Sequence, residues 1–475
     1  MRKIDSDLEG HPTPRLSFVD VATGSLGQGL SAAVGMAYVA KYLEKSSVHF
    51  FCICGDGEMA EGACWEALLF AYKHKLGNLT LIVDMNKYGQ SEEAPHGKKY
   101  KDMADKIIAF GAKVFTIPGH DIGKIVGTLE KVRNHPNQVT AIVAETMKGK
   151  YFTDKIENKP GWHGKPLMGE DAKAAIENIK KLIHSEDVKL EPSKPPKLTV
   201  KDPLPILTVP ELPYKKGDKV ATRNAYGTAL KAIGKQSERI VALDGDTKNS
   251  TMSIGFAEEY KERFAEVYIA EQNMIGAAVG MQTRGFIPFA STFAAFHTRS
   301  FDFIRMAAIS MANIKIVGSH AGVHIGQDGP SQMGLEDISM MRCVPGAVVL
   351  YPSDAVSCEN SVVLAANHKG IVYIRTTRGN TPVVYGNTEK FEIGKCKVHK
   401  PISKKAIVTV VAGGITFHEA MKAQEELKDE TIIVIDVFSV KPLDDKTIYS
   451  CAKETNGKIL VVEDHYKEGG IYGNF

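Results

Sequence analysis

One carboxylate, Asp56, stands between two glycines where an oily run ends, in FFCICGDGEMAEG (50–62). Glycine at such a place lets backbone approach a ligand closely and permits positive φ. Asn86 follows the next apolar run, LTLIVDM (79–85), after the span of one strand–helix–strand unit. If the two runs are neighbouring parallel strands, Asp56 and Asn86 converge at the sheet end where open α/β folds collect ligands. A carboxylate, an amide oxygen and a loop carbonyl are hard oxygen donors suited to Mg²⁺ or Ca²⁺, and Mg²⁺ usually completes its shell with phosphate oxygens and water. A strand–helix turn capped by Asp56 is the plainer alternative. ATGSLGQGL (22–30) is a glycine-rich turn opening a helix, and free N–H groups there favour anions. Close helix packing through the glycines explains the same pattern. The order of glycines in 24–29 is neither that of a P-loop nor that of a dinucleotide fingerprint, and no G-x-S-x-G elbow occurs.

The elements that must hold these residues alternate short β-branched runs with longer helical patterns, the rhythm of βαβ units. Strands are expected at 47–54, 79–85, 112–117 and 140–146, fully buried in a sheet covered on both faces, with helices such as 25–45 and 60–76 between them. Seven of the 21 prolines fall between 192 and 213, so 191–218 reads as a linker. A second parallel sheet is expected from 239–246, 266–271, 287–292, 314–320, 347–353 and 371–377. After a polar stretch near 380–405, a third begins with 406–414, 431–440 and 458–464, and it looks unfinished at the end of the chain. The expected fold is therefore α/β: two three-layer parallel-sheet domains, 1–190 and 219–385, and an incomplete third α/β domain, 400–475.

Composition adds mostly exclusions. A chain of 475 residues exceeds what one core organises, and 43% hydrophobic with 24% charged residues is an ordinary globular balance. A net charge of +3 is too mild to advertise a nucleic-acid or membrane partner. The start, MRKIDSDLEGHPTP, has no hydrophobic core of a signal peptide, and no apolar run is long enough for a spanning helix. Cys52 and Cys54 alternate within a strand and read as core thiols of a cytoplasmic protein, not as metal ligands.

Asp56 in GDG followed by Asn86 resembles the metal and diphosphate motif of thiamine-diphosphate enzymes. GHPTPR (10–15), TGSLGQGL (23–30), GWHGKPL (161–167), YIAEQNM (268–274), STFAAF (291–296), GSHAGVHIGQDGPSQ (318–332) and RTTRG (375–379) together resemble the transketolase family, of the animal type. The likeness runs along essentially the whole chain, whereas a stretch of the family's first domain and the later part of its third have no counterpart. Dihydroxyacetone synthase and deoxyxylulose-phosphate synthase share the cofactor motif but match the other wording less well.

The resemblance implies transfer of a two-carbon ketol unit from a ketose phosphate such as xylulose 5-phosphate to an aldose phosphate such as ribose 5-phosphate or erythrose 4-phosphate, through a covalent thiamine-diphosphate adduct in the pentose phosphate pathway. It implies that Asp56, Asn86 and the carbonyl of Tyr88 hold Mg²⁺ or Ca²⁺, while Gly24, Leu26, Gly57 and Lys165 line the cofactor. Phe293 and Phe296 would pack on its aminopyrimidine, with Glu271 bonded to a ring nitrogen. Glu271, read as the end of an apolar strand, would have its pKa raised by desolvation. Arg223, Ser250, His320 and Arg378 would clamp the sugar phosphate, Asp328 would meet a hydroxyl, and Gln332 would face the substrate. His11 and His163 would bind the ketose end and assist proton transfer. A homodimer with its sites at the subunit interface is implied, as is the alternative of a non-catalytic paralogue acting as a dimerisation or regulatory partner. His297 and His324 stand in these stretches where animal relatives carry other side chains, and no role follows for them.

Overall fold

A computed structural model describes residues 3–184, 205–401, 405–427 and 431–474. Of the expected linker, residues 191–204 lie outside the described residues. The chain divides into two compact units, Ser25–Pro203 and Met1–Gly24 together with Leu204–Phe475.

The unit 25–203 is built on four parallel strands, β1 (Phe50–Gly55), β2 (Leu79–Met85), β3 (Lys113–Pro118) and β4 (Thr140–Glu145), in the order β1-β2-β4-β3. Helices α1 (Gln28–Tyr42) and α2 (Gly62–Lys73) connect into and out of β1. A Cβ on Gly29 of α1 would stand 3.8 Å from the Cys52 sulfur, so a small residue seats the helix on the strand. Cys52 and Cys54 are buried and unoxidised. On the opposite face Ile117, Val132 and Ile142 form a core with Ile82, Phe115, Ile125 and Leu129, beneath helix α4 (Ile122–Val132). The expectation of a sheet covered on both faces fails at β1. Phe51 is 40% and Ile53 70% exposed, because the α4 core reaches no further than β2.

The other unit carries a seven-stranded sheet. Its strands are β6 (Ile240–Asp244), β7 (Phe264–Glu266), β8 (Ile287–Phe293), β9 (Lys315–Ser319), β10 (Val348–Leu350), β11 (Val372–Arg375) and β16 (Ser439–Lys441), in the order β16-β10-β11-β9-β8-β6-β7. All neighbours are parallel except β16, which runs antiparallel to β10. β6, β8 and β9 are apolar runs buried on both faces, the pattern of a parallel sheet between helices. Helices Thr222–Gln236 and Ala355–Asn367 close one face around Leu230, Ile233, Phe289, Val356 and Val362. A smaller sheet, β13-β15-β14-β17, joins β13 (Lys397–His399), β14 (Ala406–Ala412), β15 (Thr431–Asp436) and β17 (Ile459–Val462).

Two expected strands are divided or shortened. The run 431–440 splits after Asp436: β15 stays in the small sheet, while β16 crosses to the edge of the large one. The run 266–271 is a strand only as far as Glu266, because Tyr268 takes φ 61° and the chain turns there. The polar stretch near 380 holds a strand that was not expected, β12 (Asn380–Pro382), paired with β5 (Lys219–Ala221), and β13 lies at its end.

Candidate active site

At the carboxyl end of β1 and β2 the register sets Gly55 beside Asp84, which brings the turn after each strand together. The Asp56 carboxylate accepts the Gly57 N–H at 2.8 Å and the Lys87 N–H at 2.5 Å. It is 2% exposed. Burial pushes it above the usual carboxylate range, and neighbouring Asp84 adds to that, although the two N–H groups oppose both. Asn86 is thus one peptide from the oxygen that Lys87 binds. Its side-chain oxygen accepts the Tyr88 N–H at 3.1 Å and its amide nitrogen points to Asp84 at 3.3 Å. A Cβ on Gly57 would lie 3.5 Å from the Cα of Gly89, so the two loops touch. A buried carboxylate with no cationic side chain bonded to it among the described residues, bonded to the peptide that follows Asn86, offers the hard oxygen donor that a divalent cation takes.

The glycine-rich turn is occupied differently from expectation. Gly27 has φ 82° and opens α1, but its N–H donates to Glu58 Oε1 at 2.8 Å, while Glu58 Oε2 accepts the Gly55 N–H at 3.1 Å. An internal carboxylate therefore ties the turn before α1 to the turn after β1. Glu58 was visible in the sequence only as part of an acidic stretch. Leu26 is 62% exposed. His163 and Lys165 are exposed on the loop before helix Gly169–Lys180, and among the described residues no hydrogen bond joins them to the Asp56 turn.

The remaining residues lie in the other unit. His11 is exposed and its ring covers Gly24, whose φ is 126°. A Cβ there would stand 2.6 Å from a ring carbon. The segment is anchored by the Ala22 N–H on Ser310 Oγ at 2.9 Å. Glu271 starts the helix Glu271–Thr283 instead of ending a strand, because the turn at Tyr268 intervenes. Its carboxylate is not isolated: Arg299 Nη1 lies 2.5 Å from Oε2. Phe293, Phe296 and His320 form a stack, with centroids 5.1 Å and 4.0 Å apart and planes within 4° and 6°. His320 has φ 58° and bonds Ser319 Oγ at 2.9 Å. Burial, then the charges of Arg223 and Arg378, holds it down at about 4, so its ring is neutral near pH 7.

Arg223 and Arg378 do converge. Arg223 Nε donates to the Arg378 carbonyl at 3.2 Å and Nη1 to the Ser250 carbonyl at 3.0 Å. Burial and the charge of Arg378 both lower the Arg223 guanidinium, the condition of a cation pair that an anion would relieve. Arg378 in turn reaches the Ile325 carbonyl at 3.1 Å and Asp328 at 3.3 Å. Asp244, which sequence reasoning passed over, fixes Ser250 from below. Its carboxylate accepts from Thr247, Thr251 and Ser253 across the turn carrying Ser250, and burial lifts it to about 6. His324 lies over Gly379, where a Cβ would collide with its ring at 1.9 Å. Gln332 bonds its neighbour Ser331 and projects from the same loop as Asp328.

Parallel-sheet units whose ligand-type side chains gather at strand ends define an α/β protein of the cofactor-binding kind. Family comparisons narrow the class. The transketolase thiamine diphosphate binding domain matches residues 1–183, the transketolase pyrimidine binding domain 218–384 and the transketolase C-terminal domain 394–475. Transketolase of Homo sapiens is 50% identical over 475 residues, covering 99% of this chain and 75% of that protein. Transketolase-like protein 2 of Mus musculus is also 50% identical, over 477 residues, with the same coverage. The crystal structure of transketolase from Campylobacter jejuni shares the fold, with a TM-score of 0.83 at 22% identity over 99% of this chain and 83% of that one. The chain belongs to the transketolase family. Among the described residues no helix is long and apolar enough to cross a membrane.

Proposed function

We propose that this chain is a transketolase, moving a two-carbon ketol unit from a ketose phosphate to an aldose phosphate with thiamine diphosphate and Mg²⁺ or Ca²⁺. The observation that carries the reading is the buried Asp56 carboxylate bonded to the peptide beside Asn86. Asp56, Asn86 and the Tyr88 carbonyl would hold the cation, and Gly24, Leu26, Gly57 and Lys165 the cofactor's surface. Bound thiamine diphosphate supplies the carbanion equivalent that the transfer needs. Glu271 would bond the aminopyrimidine nitrogen and hold a proton there, and Phe293 and Phe296 would pack on that ring. Arg223, Ser250, His320 and Arg378 hold the sugar phosphate, since guanidinium groups bind phosphate in bidentate fashion. Asp328 and Gln332 orient hydroxyls, and His11 and His163 move protons at the ketose end. The functional particle is a cytoplasmic homodimer, each site completed across the subunit interface.

A second reading, a non-catalytic paralogue, is favoured by the Gly27 N–H already bound to Glu58 and by transketolase-like proteins among the relatives. A coupled assay with xylulose 5-phosphate, ribose 5-phosphate, thiamine diphosphate and Mg²⁺ separates the two. Turnover far above an Asp56→Ala control supports the enzyme. Turnover equal to that control, from protein that is folded and dimeric, supports the paralogue.

A further inference from the structure

His297 follows Phe296 in the short helical turn Ala294–Ser300, and none of its surface reaches solvent. Its Nε2 lies 3.1 Å from the Val317 carbonyl. A carbonyl only accepts, so the ring carries its proton on Nε2 and Nδ1 is bare. Nδ1 has no hydrogen-bond partner among the described residues. The ring meets Tyr373 edge-on at 6.4 Å. The Tyr373 hydroxyl (2.7 Å) and Arg375 Nε (2.8 Å) both donate to Oδ2 of Asp337, the carboxylate whose field reaches the imidazole.

The single bond from Nε2 spans two different pieces of backbone. Val317 lies in β9, three residues before His320, whereas His297 is the neighbour of Phe296. Phe293 ends β8, and the β8–β9 ladder, which pairs Phe293 with Ser319, already fixes Phe293 against His320. Phe296 is outside that ladder. Its plane is nonetheless within 4° of the Phe293 plane.

We propose that His297 is a positioning residue for the aromatic platform: its Nε2–H to Val317 bond sets the height of the turn bearing Phe296 against β9, keeping the Phe296 ring stacked on the Phe293–His320 pair that the ladder holds. The proposal rests on the reading of that platform as the seat of the cofactor ring. His297 touches no reacting atom in this scheme and acts only through Phe296 and β9.

The test uses the whole chain, free of ligand, with labelled histidine and phenylalanine. In wild type the His297 ring must show the Nε2–H tautomer, and the Nδ1–H tautomer overturns the proposal. Phe296 ring signals should be displaced upfield by the stacked Phe293 ring. His297→Gln, which still offers an N–H, should retain that displacement. His297→Phe, which fills the space without a donor, should lose much of it, while the His320 signals, held by the β8–β9 ladder, stay in place. Phe296 signals unchanged in His297→Phe, with only a lower melting temperature, would mean a merely structural role and overturn the proposal. In the assay, His297→Phe should raise the thiamine diphosphate concentration for half-saturation about fivefold, the size of one lost neutral hydrogen bond, with kcat at saturation within about twofold. Should wild type bind no thiamine diphosphate while the Phe296 signals behave as stated, the functional reading fails and the positioning role stands.

Discussion

The carboxylate of Glu271 and the guanidinium of Arg299 lie 2.5 Å apart, the acid 1% exposed and the base 53% exposed. The pair is therefore one-sided: water screens the cation, and the anion depends on it. Removing one partner of a fully buried pair costs about 3–5 kcal/mol, so with Arg299 half in water Arg299→Ala should cost about 1–3 kcal/mol in a urea titration. Glu271→Gln removes the buried charge itself and should leave stability within about 1 kcal/mol, while lowering kcat by about 100-fold or more through the lost proton function. Equal stability losses in the two variants would contradict this division of roles.

Asp56 makes the sharpest prediction for the cofactor. Asp56→Ala removes the acceptor of the Lys87 N–H as well as the proposed metal ligand. Calorimetry with Mg²⁺ and thiamine diphosphate should record binding to wild type and at least about 100-fold weaker binding to the variant, the scale on which a metal site fails without a ligand. Leaving out the metal should reproduce the loss in wild type. Binding that ignores both changes would remove Asp56 from the site.

The clamp predicts a separation of parameters. Arg378→Ala or Arg223→Ala should raise KM for the sugar phosphate about 10- to 100-fold, since a hydrogen bond to a charged group is worth about 1.5–3 kcal/mol. Thiamine diphosphate affinity should stay within about twofold. A joint collapse of both affinities would show that these arginines shape the platform and not the phosphate seat.

Much of this site was legible because parallel βα units deliver their loops to one edge in chain order. Asp56 and Asn86 converge for that reason alone, once β1 and β2 are neighbours. What escaped was set by contacts far apart in sequence. Arg299 reaches Glu271 from 28 residues away, and Glu58 reaches back 31 residues to Gly27. The apolar VYIA predicts a strand ending at Glu271, whereas that residue starts a helix. Hydropathy cannot see that Glu266 captures the Asp246 and Tyr268 N–H groups and turns the chain. The crossing of β16 into the large sheet was equally hidden, since 431–440 is mostly apolar and buried on both sides of Asp436, so that hydropathy does not mark the change of sheet.

Arg375 predicts the largest loss of stability. It is fully buried, with Nε 2.8 Å from Asp337 and Nη1 2.9 Å from Asp464, and its guanidinium lies 4.4 Å from the Tyr351 ring centroid. Arg375→Met leaves two buried carboxylates uncompensated and should cost about 3–5 kcal/mol. Asp337→Asn combined with Arg375→Met should recover part of that loss, because one stranded charge disappears. A double variant no more stable than the single one would show that Asp464 carries the whole penalty.

The buried histidines fix the sign of an acid effect. Burial holds His297 at about 4, against about 6.5 for an unfolded histidine. Between those values the unfolded chain binds the proton and the native state does not, so acid favours unfolding. The stability contribution is whole above about pH 6.5 and is lost as pH falls towards 4. His320 works in the same direction, whereas Asp244, lifted to about 6, and Glu359 and Asp436, each lifted to about 7, work in the opposite one. The wild-type curve is the sum of these, so the informative quantity is its difference from His297→Phe. That difference should be constant above about pH 6.5 and then move in the variant's favour by up to about 1.4 kcal/mol per pH unit on acidification. Urea unfolding of both proteins from pH 8 to pH 4 measures it. Parallel curves throughout would mean that the His297 ring takes up its proton in the folded protein over the same pH range as in the unfolded chain, and the protonated Nδ1 would then need an acceptor.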